Sequence, residues 1–429
     1  MSSPQTFDSY LRRAIAERRL VVQPRMGFGT IEQMRSGLLS VKNNALDATP
    51  RIGTLTIDAY TRVGQVDRAT EALAKGQDLN GFPIVSHGPA RTADMLADIR
   101  DASFPVQVRH GSAFPLGIFQ AAAAAGLDAI EGGPVSYNLP YSRAPLDRTV
   151  SAWSEAARWW AEHANRTGTP MHLESFAGCM FGQLCPPSLL IALTILECEF
   201  FLENGLESIS LSLAQGTNNE QDIGALMALN HLSGRYFPDV SWHIVYYTFM
   251  GLFPRTESGA RAIIRDSARI AVIGGAHRLI VKTVAEARGI PTVAENVDAL
   301  RLARSAADGV LETAPGDEAK AWAGLLIDEA EALITAARAR APSVAAALVA
   351  AFADGTLDVP YCSHPNNRNA SRTAVLPESG ALVWARPGAM PIRSHATSLA
   401  TAELNAAQFH AMLNLNRQRY DRPVEANNE

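Results

Sequence analysis

Short β-type apolar runs alternate with longer amphipathic segments along most of this chain, and the alternation constrains its fold more than any other feature. Runs spaced in this way predict parallel strands, because each return to the same edge of a sheet needs a crossover helix. Eight runs are interpreted as strands: Leu20–Arg25, Phe82–His87, Pro105–Arg109, Ala129–Glu131, Met171–Phe176, Ser208–Ala214, Ser241–Tyr247 and Arg278–Lys282.

The intervening segments carry the three- and four-residue periodicity of helices. They include Arg91–Arg100, Gly117–Ala125, Thr149–His163, Leu189–Leu202 and Glu257–Ile273. Eight strand–helix units predict a (β/α)8 TIM barrel rather than an open doubly wound sheet, since no strand is followed by a convincing G-x-G-x-x-G turn. A ninth candidate strand, Gly53–Tyr60, is surplus to this scheme and is predicted to be an inserted loop or hairpin.

Additions are expected at both ends of the barrel. Residues 1–19 predict an amphipathic N-terminal helix, residues 20–316 the barrel, and residues 317–429 a helix followed by a C-terminal α+β lobe. The first helix of that last region is predicted over Asp317–Ala341 and a terminal helix over Ala402–Tyr420, with the last residues from Asn427 frayed.

Composition excludes several classes of protein. Hydrophobic residues make up 47% of the 429 and charged residues 19%, which predicts a soluble globular protein. The net charge of −5, without clustered Lys or Arg, argues against nucleic-acid binding. The apolar stretches are too short to span a membrane. The four cysteines form no C-x-x-C pair, so neither a disulfide framework nor a metal site is predicted, and a reducing, cytoplasmic location is expected.

The predicted strands end in polar residues, where barrel enzymes carry their active sites. Arg25 and Arg109 end two strands, and Arg62 follows the surplus strand. An arginine at the end of an apolar strand needs an anion, because leaving it buried and unpaired is costly. The three could converge on a ligand's carboxylates, or each could pair with a structural acid such as Asp58.

Seven strings make the chain recognisable. They are QPRMG (Gln23–Gly27), TIDAYTR (Thr56–Arg62), LNGFPIVSHG (Leu79–Gly88), VRHG (Val108–Gly111), EGG-x-x-SYN-x-PY (Glu131–Tyr141), FMG-x-FP (Phe249–Pro254) and IVKT (Ile280–Thr283). In this order they resemble the epsilon subunit of glutamate mutase (methylaspartate mutase), an adenosylcobalamin-dependent family. The resemblance covers about residues 20–300 and, more loosely, the lobe through Pro360.

The resemblance implies roles for individual residues. An arginine claw on the two substrate carboxylates falls on Arg25, Arg62 and Arg109. Glu131 corresponds to the carboxylate at the substrate ammonium, and Tyr137 and Tyr141 to tyrosines of the substrate site; Glu131 and the two tyrosines are the implied catalytic residues. Physical chemistry agrees with the claw, because guanidinium groups grip carboxylates bidentately and three cations favour a dianion. Loop packing would also explain the tyrosines.

Other matched positions concern the cofactor. The resemblance places Gly27, Asn80 and Phe176 on the cofactor side of the site, and Lys282 and Glu286 at the adenosine ribose. Core packing of Phe176 and a surface salt bridge between Lys282 and Glu286 are the simpler interpretations. No D-x-H-x-x-G signature occurs, so cobalamin is expected to be shared with a separate small subunit, in a heterotetramer that contains a homodimer of this chain.

The implied reaction is a radical rearrangement. Homolysis of the cobalt–carbon bond starts it, glutamate splits into a glycyl radical and acrylate, and these recombine as 3-methylaspartate. The chain departs from the family at Pro134, where a glycine is usual, and at Tyr247, where a histidine is common. Such drift suits a specialised paralogue, for instance one that serves natural-product biosynthesis, or one acting on a related dicarboxylic amino acid.

Two other functions remain open from the sequence. One is a cobalamin-independent barrel lyase or aldolase that uses Lys282 as a Schiff-base amine or Glu131 as a base. The other is a non-catalytic subunit that keeps the claw only to hold an acidic ligand.

Overall fold

A single sheet of eight parallel strands forms the centre of the protein in a computed structural model that describes residues 6–44, 49–393 and 406–422. The order around the sheet is β1-β8-β7-β6-β5-β4-β3-β2. The strands are β1 (Val21–Pro24), β2 (Gly53–Thr56), β3 (Val106–Arg109), β4 (Ala129–Gly132), β5 (His172–Ser175), β6 (Ser208–Ala214), β7 (Ser241–Tyr247) and β8 (Arg278–Val281).

Hydrogen bonds at both edges of β1 bring the sheet round into a barrel. β1 pairs with β8 along its whole length. On its other side, Val22 forms a parallel bridge with Arg51, and the Ile52 N–H donates to the Val22 carbonyl at 3.1 Å. Helices follow the strands, as parallel connections require. The predicted TIM barrel is confirmed.

The second strand is not the one that the sequence predicted. Gly53–Tyr60, predicted to be an insertion, supplies β2, which pairs with β3 from Gly53 to Thr56. Phe82–His87, predicted to be a strand, instead makes one bridge from Phe82 to Ile57 and then turns into a helix, Ile84–His87. Pro83 lacks the N–H that a ladder needs, and β3 already occupies the edge of β2.

Fifteen α-helices occur in the described residues. They are α1 (Phe7–Ala16), α2 (Ile31–Asn44), α3 (Ala59–Arg62), α4 (Val66–Ala74), α5 (Ile84–His87), α6 (Pro89–Leu96), α7 (Leu116–Ala124), α8 (Leu146–Thr167), α9 (Pro187–Glu203), α10 (Asn219–Tyr236), α11 (Glu257–Ile273), α12 (Val293–Asp308), α13 (Asp317–Arg338), α14 (Val344–Asp354) and α15 (Ala406–Asp421). The helix predicted from Asp317 ends at Arg338, three residues early. The predicted terminal helix is present from Ala406, whereas residues 402–405 and 427–429 lie outside the described residues.

Helix α1 closes the end of the barrel at which the strands begin. Thr6 caps the helix, and the Phe7 N–H donates to Asp128 Oδ2 at 2.8 Å. The Phe7 ring is fully buried against His172, with 4.8 Å between ring centroids. Asp8 accepts from the hydroxyls of Ser208 and Ser241 at 2.7 and 2.6 Å. The amphipathic N-terminal segment therefore forms the floor of the barrel.

The barrel interior contains a layer of polar side chains, Gln23, Gln107, Glu174 and Arg278, here called the interior layer. Arg278 is fully buried, forms an ion pair with Glu174 and donates to both glutamines. Gln107 donates to Glu174 at 2.9 Å. The buried cation is tolerated because its donors have acceptors and its charge has a partner.

A β-hairpin and α15 lie at the opposite end from α1. The hairpin pairs β9 (Arg372–Val375) with β10 (Leu382–Arg386). Gln221 in the first turn of α10 exchanges two hydrogen bonds with the Leu382 backbone, and Trp384 donates to Ser188 in the first turn of α9 at 3.1 Å. These helix starts follow the carboxyl ends of strands, so the hairpin lies beside the mouth of the barrel. The division of the chain after residue 316 stays a prediction.

Candidate active site

A cavity lies at the carboxyl ends of the barrel strands and contains about 320 Å³ of empty space, part of it open to solvent. It is called the mouth cavity below. Its lining residues are Arg25, Thr56, Arg62, Arg109, His110, Gly111, Glu131, Tyr137, Tyr141 and Phe176. Strand register brings several of these residues to the same level of the barrel. Thr56 is opposite Arg109 in the neighbouring strand, and Glu131 is opposite Glu174. The three arginines predicted as a claw thus line one cavity.

Glu131 is the centre of a buried cluster. Arg109 Nε donates to Glu131 Oε2 at 2.6 Å, and the Tyr137 hydroxyl donates to Oε1. The Tyr247 hydroxyl lies 2.8 Å from Glu131 Oε2 and also contacts Glu174. Burial, followed by the charge of Glu131, raises the pKa of both tyrosines well above 10. Burial acts to lower the pKa of Arg109, but Glu131, Tyr247 and Tyr137 together outweigh it and hold that pKa well above its ordinary value.

The loop that carries Tyr137 is supported from beneath by Glu197. This fully buried carboxylate accepts from the N–H groups of Val135 and Ser136 at 3.0 and 2.8 Å, and from the Ser175 hydroxyl at 2.8 Å. A Cβ at Gly133 would collide with it. Burial raises the pKa of Glu197 to about 7. The Pro134 departure fits here, because proline suits the start of a helical turn, where no N–H is needed.

Arg25 is held at the rim of the mouth cavity by Glu286. Its Nη1 lies 2.9 Å from Glu286 Oε1, and the same oxygen accepts from Lys282 Nζ at 2.7 Å. Lys282 is 3% exposed, so this pair is not the surface salt bridge of the simpler interpretation. Burial and then the charge of Arg25 lower the pKa of Lys282 to about 8, although Glu286 opposes them.

Arg62 is the least engaged member of the claw. Its Nη2 donates to the Ile57 carbonyl at 3.2 Å, and its Nε is buried without a hydrogen-bond partner. Asp58 is not its counter-ion: Asp58 Oδ1 instead accepts from Tyr60 and Thr61 N–H groups at the start of α3. Within the described residues, Arg25 and Arg109 have carboxylate partners and Arg62 has none.

Further polar atoms around the cavity lack partners. Thr56 Oγ1 and His110 Nε2 are buried and unbonded in the described structure. His110 Nδ1 accepts from the Ser112 N–H at 2.9 Å, and burial, followed by Arg62, lowers the pKa of His110 to about 3. The ring is therefore neutral and carries its hydrogen on Nε2. Unbonded buried donors at a cavity indicate a site for a polar ligand.

The other predicted residues divide between the cavity and its surroundings. Phe176 and Tyr141 line the cavity, and both rings contact Tyr137, at centroid distances of 5.2 and 5.7 Å. Gly27 borders β2, where a Cβ would lie 2.6 Å from the Thr56 carbonyl oxygen, so strand packing alone already requires a glycine. Asn80 is exposed and accepts from the Ala59 N–H at 3.0 Å. Neither Gly27 nor Asn80 lines the mouth cavity.

Sequence reasoning missed three residues that shape the site. The sequence marks Tyr247 only as a departure from the family, and it assigns no role to Glu174, inside the run Met171–Phe176, or to Glu197. A glutamate inside the very apolar helix α9 was the available signal for Glu197, since a buried acid needs several donors. For Tyr247 the signal was its position as the last residue of a buried strand, level with the other strand ends.

The fold and the mouth cavity define a TIM-barrel protein in which three arginines and a glutamate line one cavity at the strand ends. The family comparison gives the particular group: the profile of the methylaspartate mutase E chain matches residues 1–411. The chain belongs to this family, and mutases are isomerases.

Two relatives agree with the family. The glutamate mutase epsilon subunit of Haloarcula marismortui is 34% identical over 370 residues, which cover 83% of this chain and 73% of the relative. That of Escherichia coli O157:H7 is 31% identical over 403 residues, which cover 90% and 81%.

Among solved structures, the tryptophan synthase subunit alpha of Legionella pneumophila str. Paris has a TM-score of 0.39 at 15% identity, covering 70% of this chain and 98% of its own. That score is too low to carry an argument, and the barrel stands on its own strand order. None of the helices in the described ranges combines the length and hydropathy that a bilayer-spanning segment needs.

Proposed function

We propose that this chain is the catalytic large subunit of an adenosylcobalamin-dependent mutase that interconverts L-glutamate and 3-methylaspartate. The observation that carries the proposal is the convergence of Arg25, Arg62 and Arg109 with Glu131 on one cavity at the strand ends. Three cations next to one carboxylate complement a ligand with two carboxylates and one ammonium group.

The claw has donors to spare for such a ligand. Arg109 uses Nε for Glu131 and Arg25 uses Nη1 for Glu286, which leaves other N–H groups of both guanidiniums for ligand oxygens. Arg62 donates only to a carbonyl. Glu131, with the Tyr137 hydroxyl fixing one of its oxygens, would hold the ammonium group. Tyr141 would close over the ligand from the rim.

The residues at the rim fit an adenosyl group. Lys282 and Glu286 supply a donor and an acceptor side by side, as a ribose diol requires, and Phe176 presents an aromatic ring in the cavity. The fit supports Lys282, Glu286 and Phe176 more than Gly27 and Asn80. When bound, adenosylcobalamin supplies the radical chemistry of the rearrangement.

The residues of this chain would then orient the substrate and keep its fragments inside the cavity. The claw would fix both carboxylates and so the carbon atoms between them, while Glu131 would fix the amino end. The rings of Tyr137 and Phe176 line the wall, Tyr247 packs against Phe176, and together they would exclude water from the reacting carbons. Fragments held by charge at their ends cannot drift apart before they recombine.

Exposed hydrophobic side chains around the mouth support a partner subunit. Five large ones are exposed in the described residues, and four of them follow the ends of barrel strands: Val63, Phe114, Tyr141 and Ile290. Exposed apolar side chains contribute to docking surfaces where they lie together, and these four all follow the carboxyl ends of strands. We propose that a small cobalamin-binding subunit covers this opening. The heterotetramer and the cytoplasmic location stay predictions.

The test is calorimetric titration of the purified chain with adenosylcobalamin, with and without a small mutase subunit, followed by assays with glutamate. We expect weak binding and no turnover by the chain alone, and tight binding with turnover of glutamate when both are present. Glutamine is the matched control, since it lacks the second carboxylate. Full activity without a partner, or efficient turnover of glutamine, would contradict the proposal.

Lys282 supports a second candidate, a Schiff-base lyase, because a buried lysine with its pKa lowered to about 8 is a better nucleophile. Its ammonium group, however, is paired with Glu286 at 2.7 Å. Borohydride trapping with a carbonyl compound decides the matter: covalent labelling at Lys282 that is lost in Lys282→Arg would favour the lyase over the mutase.

A further inference from the structure

Strand β7 ends in two buried tyrosines whose hydroxyls have different surroundings. Tyr246 donates to Asp222 at 3.0 Å, away from the mouth cavity. Tyr247 contacts two carboxylates, Glu131 Oε2 at 2.8 Å and Glu174 Oε1. Since a phenol carries one hydrogen, Tyr247 can donate to only one of them at a time.

Tyr247 connects the mouth cavity to the interior layer. Glu131 is bound to Arg109 and Tyr137, both of which line the cavity. Glu174 is bound to Gln107 and Arg278 inside the barrel. Among the hydrogen bonds of the described residues, only those of Tyr247 touch both carboxylates.

The ring of Tyr247 is held in place independently of its hydroxyl. It is fully buried, the Arg109 guanidinium lies over its face at 5.1 Å, and the Phe176 ring meets it at 5.6 Å between centroids. Removing the hydroxyl alone would therefore leave these ring contacts in place. Because the pKa of Tyr247 is raised, the phenol stays protonated, and it orients Glu131 without changing the charge of the site.

We propose that Tyr247 is a positioning residue that orients Glu131 toward the ammonium group of the ligand, and so sets the preference of the mouth cavity for an amino dicarboxylate over the same dicarboxylate without the amino group. The inference rests on the proposed function of Glu131. By donating to Glu131 Oε2, which also accepts from Arg109 Nε, the Tyr247 hydroxyl fixes that oxygen. Among the described residues, Oε1 accepts only from Tyr137, so it keeps a lone pair for an ammonium N–H.

The experiment compares Tyr247→Phe with Tyr246→Phe, a matched loss of one buried hydroxyl from the same strand. Each full-length chain is titrated calorimetrically with glutamate and with glutarate, which is glutamate without its amino group, after a thermal melt has shown that it is folded. We expect wild type and Tyr246→Phe to favour glutamate. Tyr247→Phe should bind glutamate about tenfold more weakly, because Glu131 is then held by Arg109 and Tyr137 alone and is less well oriented for the ammonium group, and should bind glutarate unchanged.

A further variant keeps the test decisive if Tyr247→Phe does not fold. Tyr247→His retains a ring with an N–H donor and, compared with wild type, should keep most of the preference for glutamate over glutarate; loss of the whole preference in a folded Tyr247→His would contradict the inference. Equal weakening of both ligands in Tyr247→Phe, or no change in either, would overturn the inference and leave the proposed function standing. A wild-type chain that binds both ligands equally would overturn the role of Glu131 itself, and both proposals with it.

Discussion

Arg278 inside the barrel and Arg62 at its mouth illustrate two uses of a cation. Arg278 is fully buried and donates to Gln23, Gln107 and Glu174. Arg62 is half-buried, donates to one carbonyl and leaves its Nε unbonded. The comparison teaches that a buried arginine whose N–H groups all have acceptors stabilises the fold, whereas an arginine with an unbonded N–H at a cavity is available to a ligand.

The largest effect is expected at Arg278. Arg278→Met would leave the Glu174 carboxylate buried without its cation, which costs about 3–5 kcal/mol of folding free energy. Urea unfolding monitored by circular dichroism measures the loss. The double variant with Glu174→Gln should recover part of it, because the unpaired charge is then gone. A loss below about 1 kcal/mol would show that the interior layer is not structural.

The buried carboxylate Glu197 should make stability depend on pH. Its folded-state pKa of about 7 lies above its ordinary 4.5. Its contribution to stability is therefore full below about pH 4.5 and is lost as the pH rises through about 7. The loss would be about 3 kcal/mol, since one pKa unit is worth about 1.4 kcal/mol.

The measurement is the free energy of unfolding at pH 4.5 and 7.5 for wild type and Glu197→Gln. Wild type should lose stability relative to the variant as the pH rises, because Gln stays uncharged throughout. The exposed Glu312→Gln is the control and should follow wild type. A difference between wild type and Glu197→Gln that does not change with pH would contradict the account.

At the mouth, a substitution should reduce ligand binding and leave folding stability nearly unchanged, the reverse of the effect expected inside the barrel. Arg62→Met is expected to weaken glutamate binding by about tenfold to a hundredfold, the worth of one charge-assisted contact, and to change folding stability by less than about 1 kcal/mol. Calorimetric titration and urea unfolding check the two parts. The control is Arg68→Met, which removes an exposed arginine from α4. A stability loss as large as that of Arg278→Met would erase the distinction between the two regions.

The most conservative substitution is Arg109→Lys, which keeps the positive charge of the claw and removes the planar guanidinium group. With partner and cofactor present, turnover of glutamate should fall by about tenfold or more, because one ammonium cannot serve both Glu131 and a ligand carboxylate in the same geometry. Steady-state kinetics measure the effect, and a circular dichroism spectrum confirms the fold. Unchanged activity would remove Arg109 from the claw.

The sequence was sufficient for the architecture, because hydrophobic periodicity is local. Seven of the eight predicted strands are strands. The exception, Phe82–His87, shows the limit of that signal. The run is apolar enough for a strand, but Pro83 breaks the hydrogen-bond ladder. The strand that begins at Gly53 looks redundant only when eight other runs are counted first. The three arginines could be assigned to the mouth because Arg25 and Arg109 end predicted strands and Arg62 follows one, and the resemblance implied their role as a claw.

The remainder of the site depends on contacts between distant positions. Tyr247 lies 116 residues from Glu131, and Glu197 lies 61 residues from Ser136, so no local pattern joins them. Their meeting follows from strand register and from the packing of α9 under the loop after β4. The donors around Glu131 come from β3, from β7 and from the loop after β4, so only the folded chain brings them together.

In the described part of the chain, helix α1 covers the end of the barrel opposite the mouth cavity. Phe7 and Asp8 close that floor, and the interior layer fills the space above them. Small molecules would then enter and leave at the mouth, which the proposed partner covers. Substrate exchange would therefore be limited by how often the partner moves away from the mouth. The closed floor and the partner would together keep reactive fragments inside until each turnover is finished.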